Sequence, residues 1–113
     1  MSKKNEKPRE KHEVIEGYIT AYTADPVKAR TANGNKVRPG ICAMNNKYRN
    51  CEVIITFDGH SERYFVDDTG GAFNRKGSNR IADIYMTSSD ACKRHGKRYG
   101  KVTIISRSKS SKR

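Results

Sequence analysis

The sequence predicts a small all-β barrel carrying one short helix, and three observations point there. Short runs rich in Val, Ile, Tyr and Phe recur along the chain, near residues 14–22, 41–44, 52–57, 62–66, 81–86 and 102–105. Turn formers separate them: Asp25-Pro26, Asn33-Gly34, Arg38-Pro39-Gly40 and Asp58-Gly59. Only the stretch after Met86 offers the start and stop signals of a helix.

The first strand is expected from Val14 to Tyr22, with Gly17 breaking the alternation as a bulge in a barrel strand does. Three turn signals between Thr23 and Gly40 leave little room for regular structure, so a long loop is expected there, folded over a site. Ile41–Met44 reads as a short buried strand closed by Asn45-Asn46. Glu52 to Phe57 has strand composition, Asp58-Gly59 is a strong hairpin turn, and Glu62 to Val66 returns. A polar loop through residues 74–80 leads to a strand through Ile84 and Met86. Ser88 or Ser89 can cap a helix with Asp90 in its first turn and Gly96 at its end. Val102 to Ile105 makes the last strand.

A chain of 113 residues supports one domain with a modest core. Residues 1–12 alternate Lys, Arg and Glu without an apolar face, and residues 106–113 are basic and polar, so both read as disordered ends flanking a domain at 13–105. The formal charge of +12 and the mean hydropathy of −0.94 favour polyanionic partners: nucleic acid, wall polymer or a lipid surface. No apolar run approaches the ~20 residues of a membrane span, and residues 1–12 lack the apolar core of a secretory signal. Synthesis in the cytoplasm is therefore expected.

Cys42, Cys51 and Cys92 form no paired motif, and His12, His60 and His95 are scattered, so neither a metal nor a cofactor is expected. Reduced, buried thiols are the favoured state, with a Cys42–Cys51 bridge open to formation in an oxidising space.

The chemistry-bearing stretch is Val66-Asp67-Asp68-Thr69-Gly70-Gly71-Ala72-Phe73, followed by Asn79-Arg80-Ile81-Ala82-Asp83-Ile84-Tyr85-Met86. Apolar residues lead into one acid pair and out of Asp83, which places each acid where a buried strand meets a turn. Gly70-Gly71 lets the backbone approach a neighbour closely. Asp67 is expected to be a solvated neighbour. Arg75, Lys76 and Arg80 are cations within reach of substrate carboxylates, and Tyr22, Tyr64 and Tyr85 are rings for sugar stacking or, more simply, for the core.

These segments, with Cys92-Lys93-Arg94-His95-Gly96-Lys97-Arg98 before Val102-Thr103-Ile104-Ile105, resemble the three-aspartate domain. That domain is the catalytic barrel of membrane-bound lytic transglycosylase A and of the stationary-phase survival muralytic proteins. The likeness extends back through Thr20-Ala21-Tyr22-Thr23, Thr31-Ala32-Asn33-Gly34 and Gly40-Ile41-Cys42-Ala43-Met44-Asn45, over roughly residues 14 to 105. It implies a six-stranded double-psi β-barrel and an enzyme cutting the glycan strands of peptidoglycan, reached after lysis or by non-classical export.

The resemblance puts Asp83 in the role of general acid and then base, and Asp68 as its charge partner. Thr31 and Gly34 would help line the glycan groove, with Thr69, Gly70, Gly71 and Arg80 at its wall. Asn45 stands where the family has the first of its aspartates. An amide hydrogen-bonds but supplies no negative charge. The alternative expectation is thus a catalytically impaired barrel that binds anionic glycan or nucleic acid, with nonspecific nucleic-acid contact through the basic ends. Thr31 and Gly34 also read as a plain turn, and Asp68 as a cap for the Thr69–Gly71 amides. Neither oligomeric state nor glycan preference can be read from these residues.

Overall fold

A computed structural model describes residues 12–70, 73 and 79–107 of the chain. Of the ends predicted to be disordered, 1–12 and 106–113, residues 1–11 and 108–113 lie outside the described residues, as do Gly71, Arg75 and Lys76. Six strands form a closed barrel: β1 (Glu13–Tyr22), β2 (Ile41–Met44), β3 (Cys51–Phe57), β4 (His60–Thr69), β5 (Arg80–Tyr85) and β6 (Arg98–Arg107). One helix, α1 (Ser89–His95), precedes the last strand.

Around the barrel the order is β1-β5-β2-β4-β3-β6, closing back on β1. β1 runs parallel to β5 and β2 parallel to β4, while the other neighbours are antiparallel. Exchanging β1 with β4, β2 with β5 and β3 with β6 leaves this pairing list unchanged. That pseudo-twofold, with two parallel crossovers, is the pattern of a double-psi barrel. Among the described residues, closure leaves no sheet edge open.

Alternation decides what the barrel encloses. Ile19, Cys42, Met44, Val53, Ile55, Val66, Ala82, Ile84 and Val102 point inward and form its core. A second, smaller cluster joins Val37 of the long loop 23–40 to Ile41 and Tyr85 of the barrel, with Tyr22, Ala24 and Ala29 packed against it. Cys42, Cys51 and Cys92 are free thiols, the first two buried as small apolar groups.

Local signals operate as expected at several places. Asp58 and Gly59 both take positive φ, 54° and 75°, which makes the twisted turn between β3 and β4. Ser88 Oγ accepts from the Ala91 amide at 3.1 Å, and Gly96 at φ 65° ends α1. Gly17 is required by a close approach, since a Cβ there would lie 2.6 Å from the Asn79 carbonyl oxygen and from Ile81. The register irregularity lies one residue on, between Tyr18 and Ile19, where β5 carries Ile81 as an extra residue.

Two expectations are corrected. β4 continues to Thr69, so Asp67 and Asp68 sit within a strand and not in a turn. Asp83 likewise lies inside β5 and not at its end. In β4, pairing with β2 carries regular structure past Val66 to Thr69, and in β5 pairing with β1 begins the strand at Arg80, three residues before Asp83. β6 also runs to Arg107, two residues beyond the expected domain limit.

Candidate functional site

Pairing across four strands builds the site. Ala43 of β2 stands opposite Asp68 of β4 on one side and Asp83 of β5 on the other, and Asp83 stands opposite Thr20 of β1. Residues in one such row share a face. Cys42, Met44, Ala82 and Ile84 point into the barrel, so this row points out. Two strand spacings separate the acids, which places their Cα atoms about 10 Å apart. Ala43, having only a methyl group, leaves the space between them open.

A cleft of about 210 Å³ fills that space, lined by Tyr22, Ala43, Asp68, Thr69, Gly70, Phe73, Arg80 and Asp83. A second cavity of about 310 Å³ shares Phe73 and Arg80 as walls and runs past Asn45, Tyr48, Ile81 and Ile15 to Glu16. The Arg80 guanidinium lies over the Phe73 ring, 5.1 Å from its centroid, so this dividing wall is a cation–π pair.

Asp83 is half-buried, and burial pushes its carboxyl above the usual aspartate range, with Asp68 adding a smaller push in the same direction. Thr20 Oγ1, donating at 3.0 Å, opposes the rise, as do the positive charge of Arg80 and the nearby His95. Asp68 accepts from the Tyr22 hydroxyl at 3.2 Å, the Ala32 amide at 2.9 Å and its own neighbour's amide, Thr69, at 2.9 Å. Burial and the Asp68 charge push the Tyr22 hydroxyl far above its ordinary range, so Tyr22 remains a donor.

Asp67 overturns the expectation of a solvated neighbour: it is fully buried. The register between β2 and β4 skips it, so it is the extra residue of a bulge, facing the long loop. Asn33 Nδ2 donates to it at 2.8 Å, Asn35 Nδ2 at 3.0 Å and Arg38 Nη1 at 2.5 Å. Burial alone would raise its carboxyl, but hydrogen bonds from Arg38, Asn33 and Asn35 outweigh it and hold the carboxyl below the usual range. The loop is thereby pinned, and its Ala32 amide is delivered to Asp68.

The other expected residues divide. Thr69, Gly70 and Arg80 line the cleft, while Gly71 lies outside the described residues. Thr31 and Gly34 do not reach the cleft wall. Thr31 is buried, its Oγ1 accepts from the Asn33 and Asn35 amides at 3.2 and 3.1 Å, and Gly34 turns the chain at φ 87°. These two shape the loop that clamps Asp67, the Thr31 hydroxyl using both acceptor sites on local amides. Asn45 lines the second cavity, donating from Nδ2 to the Phe73 carbonyl at 2.9 Å and capping a short 3-10 turn (Asn46–Tyr48) through the Lys47 amide at 3.0 Å.

Among the tyrosines, Tyr85 is buried against Tyr22, with ring centroids 5.6 Å apart, and Tyr64 donates to Glu62 at 3.1 Å. Only Tyr22 faces the cleft. Among the described residues no three His, Cys, Asp or Glu side chains gather as metal ligands, and no helix is long and apolar enough to cross a membrane. No family model matches the sequence, and no curated protein matches it.

Proposed function

We propose that the chain is a lytic transglycosylase cutting the β-1,4 bond between N-acetylmuramic acid and N-acetylglucosamine. The observation that carries this reading is a half-buried Asp83 with a raised pKa, facing a cleft that Asp68 also lines. A general acid must keep its proton near neutral pH, and desolvation moves Asp83 in that direction.

In the proposed reaction, protonated Asp83 gives its hydrogen to the bridging oxygen as the bond from that oxygen to the anomeric carbon breaks. The N-acetylglucosamine hydroxyl leaves. The C6 hydroxyl of the N-acetylmuramic acid then attacks its own anomeric carbon, and the Asp83 carboxylate takes that hydroxyl's proton. A 1,6-anhydro end forms, no water is consumed, and Asp83 is again protonated. Asp68, held by Tyr22 and two amides, suits a group that orients sugar hydroxyls or stabilises developing positive charge. With the C6 hydroxyl as internal nucleophile, the reaction dispenses with the second carboxylate that retaining hydrolases hold about 5–5.5 Å from the first.

Purified sacculi incubated with the protein should release anhydro-muropeptides, and Asp83→Asn should abolish them. Reducing ends without anhydro sugars would reject the transglycosylase route. A second reading, a barrel that binds anionic glycan without cutting it, draws on Asn45, whose amide is engaged structurally where the resembled family has a carboxylate. Binding to sacculi with no product from the unaltered protein would favour it.

A further inference from the structure

Outside the cleft, charge is segregated in the folded chain. Residues 91–105 contain five basic residues and no acid, whereas the other described residues contain nine basic and ten acidic ones. The end of α1 and the first half of β6 thus carry the positive charge of the barrel. Lys93, Arg94, Lys97 and Lys101 are exposed.

An aromatic platform stands within this region. Tyr99 is 58% exposed, unusual for a ring on a closed barrel. It packs edge-on against Tyr18, with centroids 5.3 Å apart, and the Lys97 ammonium lies 4.8 Å from the centre of the Tyr18 ring. Lys101 follows Tyr99 by two residues, on the same outer face of β6. Between them Gly100 forms the floor of a shallow cavity of about 290 Å³, with Tyr99, Lys101, Thr56, Glu16 and Asp58 around it. Asp58 is engaged by Arg98 at 2.6 Å, and Glu16 stands opposite Lys101 across the strands.

We propose that this face of β6 binds single-stranded nucleic acid, with an unpaired base stacked on Tyr99 and the flanking phosphates on Lys97, Lys101 and the end of α1. Cations tracking a backbone beside an exposed ring are what an unpaired strand needs. The carboxylates of Glu16 and Asp58 can accept from N–H groups of a base in the cavity, the N3–H of thymine among them. A duplex fits poorly, because its bases are not free to stack and α1, seven residues long, offers no helix to fill a major groove. The proposal concerns a face separate from the cleft and stands or falls independently of the glycan reading.

The test is fluorescence anisotropy of the full chain with a labelled oligothymidine across a salt series. Tyr99→Ala should weaken binding by about tenfold or more, and Tyr99→Phe should restore it. The double change Lys97→Gln with Lys101→Gln should lower the steepness of the salt dependence by about 1–1.5. An unchanged melting temperature identifies folded variants. Should Tyr99→Ala and the lysine pair bind as the unaltered protein does, the basic ends alone hold the strand and the proposal fails. It fails equally if a duplex of the same length competes as well as the single strand, or if soluble glycan strands displace the oligonucleotide in a Tyr99-dependent way, which would make the platform a sugar site.

Discussion

The barrel interior and the outer row beneath the 23–40 loop use the same strands and follow opposite rules. Inside, Cys42, Met44, Val66, Ala82 and Ile84 are buried apolar groups that need no partner. On the outer face of the same strands, Ala43, Asp68 and Asp83 line an open cleft, and Asp83 there is desolvated without being enclosed. The contrast sharpens in Asp67 and Asp83. Both lose water, yet four hydrogen bonds from Asn33, Asn35 and Arg38 drive Asp67 toward the charged form, whereas Asp83, with the hydroxyl of Thr20, is driven toward the neutral one. Burial alone does not choose an acid's role; the donors supplied with it do.

The largest expected effect breaks the outer row. If the proposed transglycosylase reading holds, Asp83→Asn should lower muropeptide release by about 10² to 10⁴-fold. It should leave stability at neutral pH equal or higher, because a carboxyl with a raised folded-state pKa costs stability once ionised. Muropeptide release together with urea denaturation at pH 7 checks both halves.

Next, Asp67→Ala should cost about 1–3 kcal/mol by removing the charged acceptor that Asn33, Asn35 and Arg38 share. The pH dependence follows from the lowered pKa. Asp67 contributes its full stability above the ordinary aspartate value near 3.8, and that contribution is lost as pH falls through the lower folded-state value. Asp83 runs the other way, its penalty fading as acid protonates it. Denaturation midpoints between pH 2 and 7 should therefore show a loss at the acid end that Asp67→Asn diminishes and Asp83→Asn does not.

A smaller effect separates barrel closure from the site. Gly100→Ala would place a Cβ 2.1 Å from the Thr56 carbonyl oxygen, in the seam between β6 and β3. A cost of about 2–3 kcal/mol in thermal unfolding is expected. Smallest is Ser88→Ala, which removes the cap of α1 and should cost about 1 kcal/mol without touching the row.

Legibility in the sequence followed the range of the interaction. Asp58-Gly59, Ile41–Met44 and the Ser88 and Gly96 ends of α1 are dictated by neighbours a few residues away, and they could be read directly. The parallel pairings of β1 with β5 and β2 with β4 join strands far apart, and no local pattern in the sequence marks that order. Asp83 and Asp68 were legible as candidates, but their shared row with Ala43 depends on those pairings. Asp67 was misjudged because a bulge, which leaves no local mark in composition, turns two consecutive acids onto different partners. A usable signal did exist: Asn33, Asn35 and Arg38 crowd donors onto one long loop, and such a loop needs an anion to bind.

The seam between the first and last strands has a mechanical consequence. β1 and β6 lie antiparallel with Glu13 opposite Ile104, so the chain enters and leaves the barrel at the same rim. Tension applied through the two ends would peel this pair one hydrogen bond at a time, beginning at Glu13, and would not load the whole ladder at once. A barrel without an open edge thus still has a direction in which it unzips.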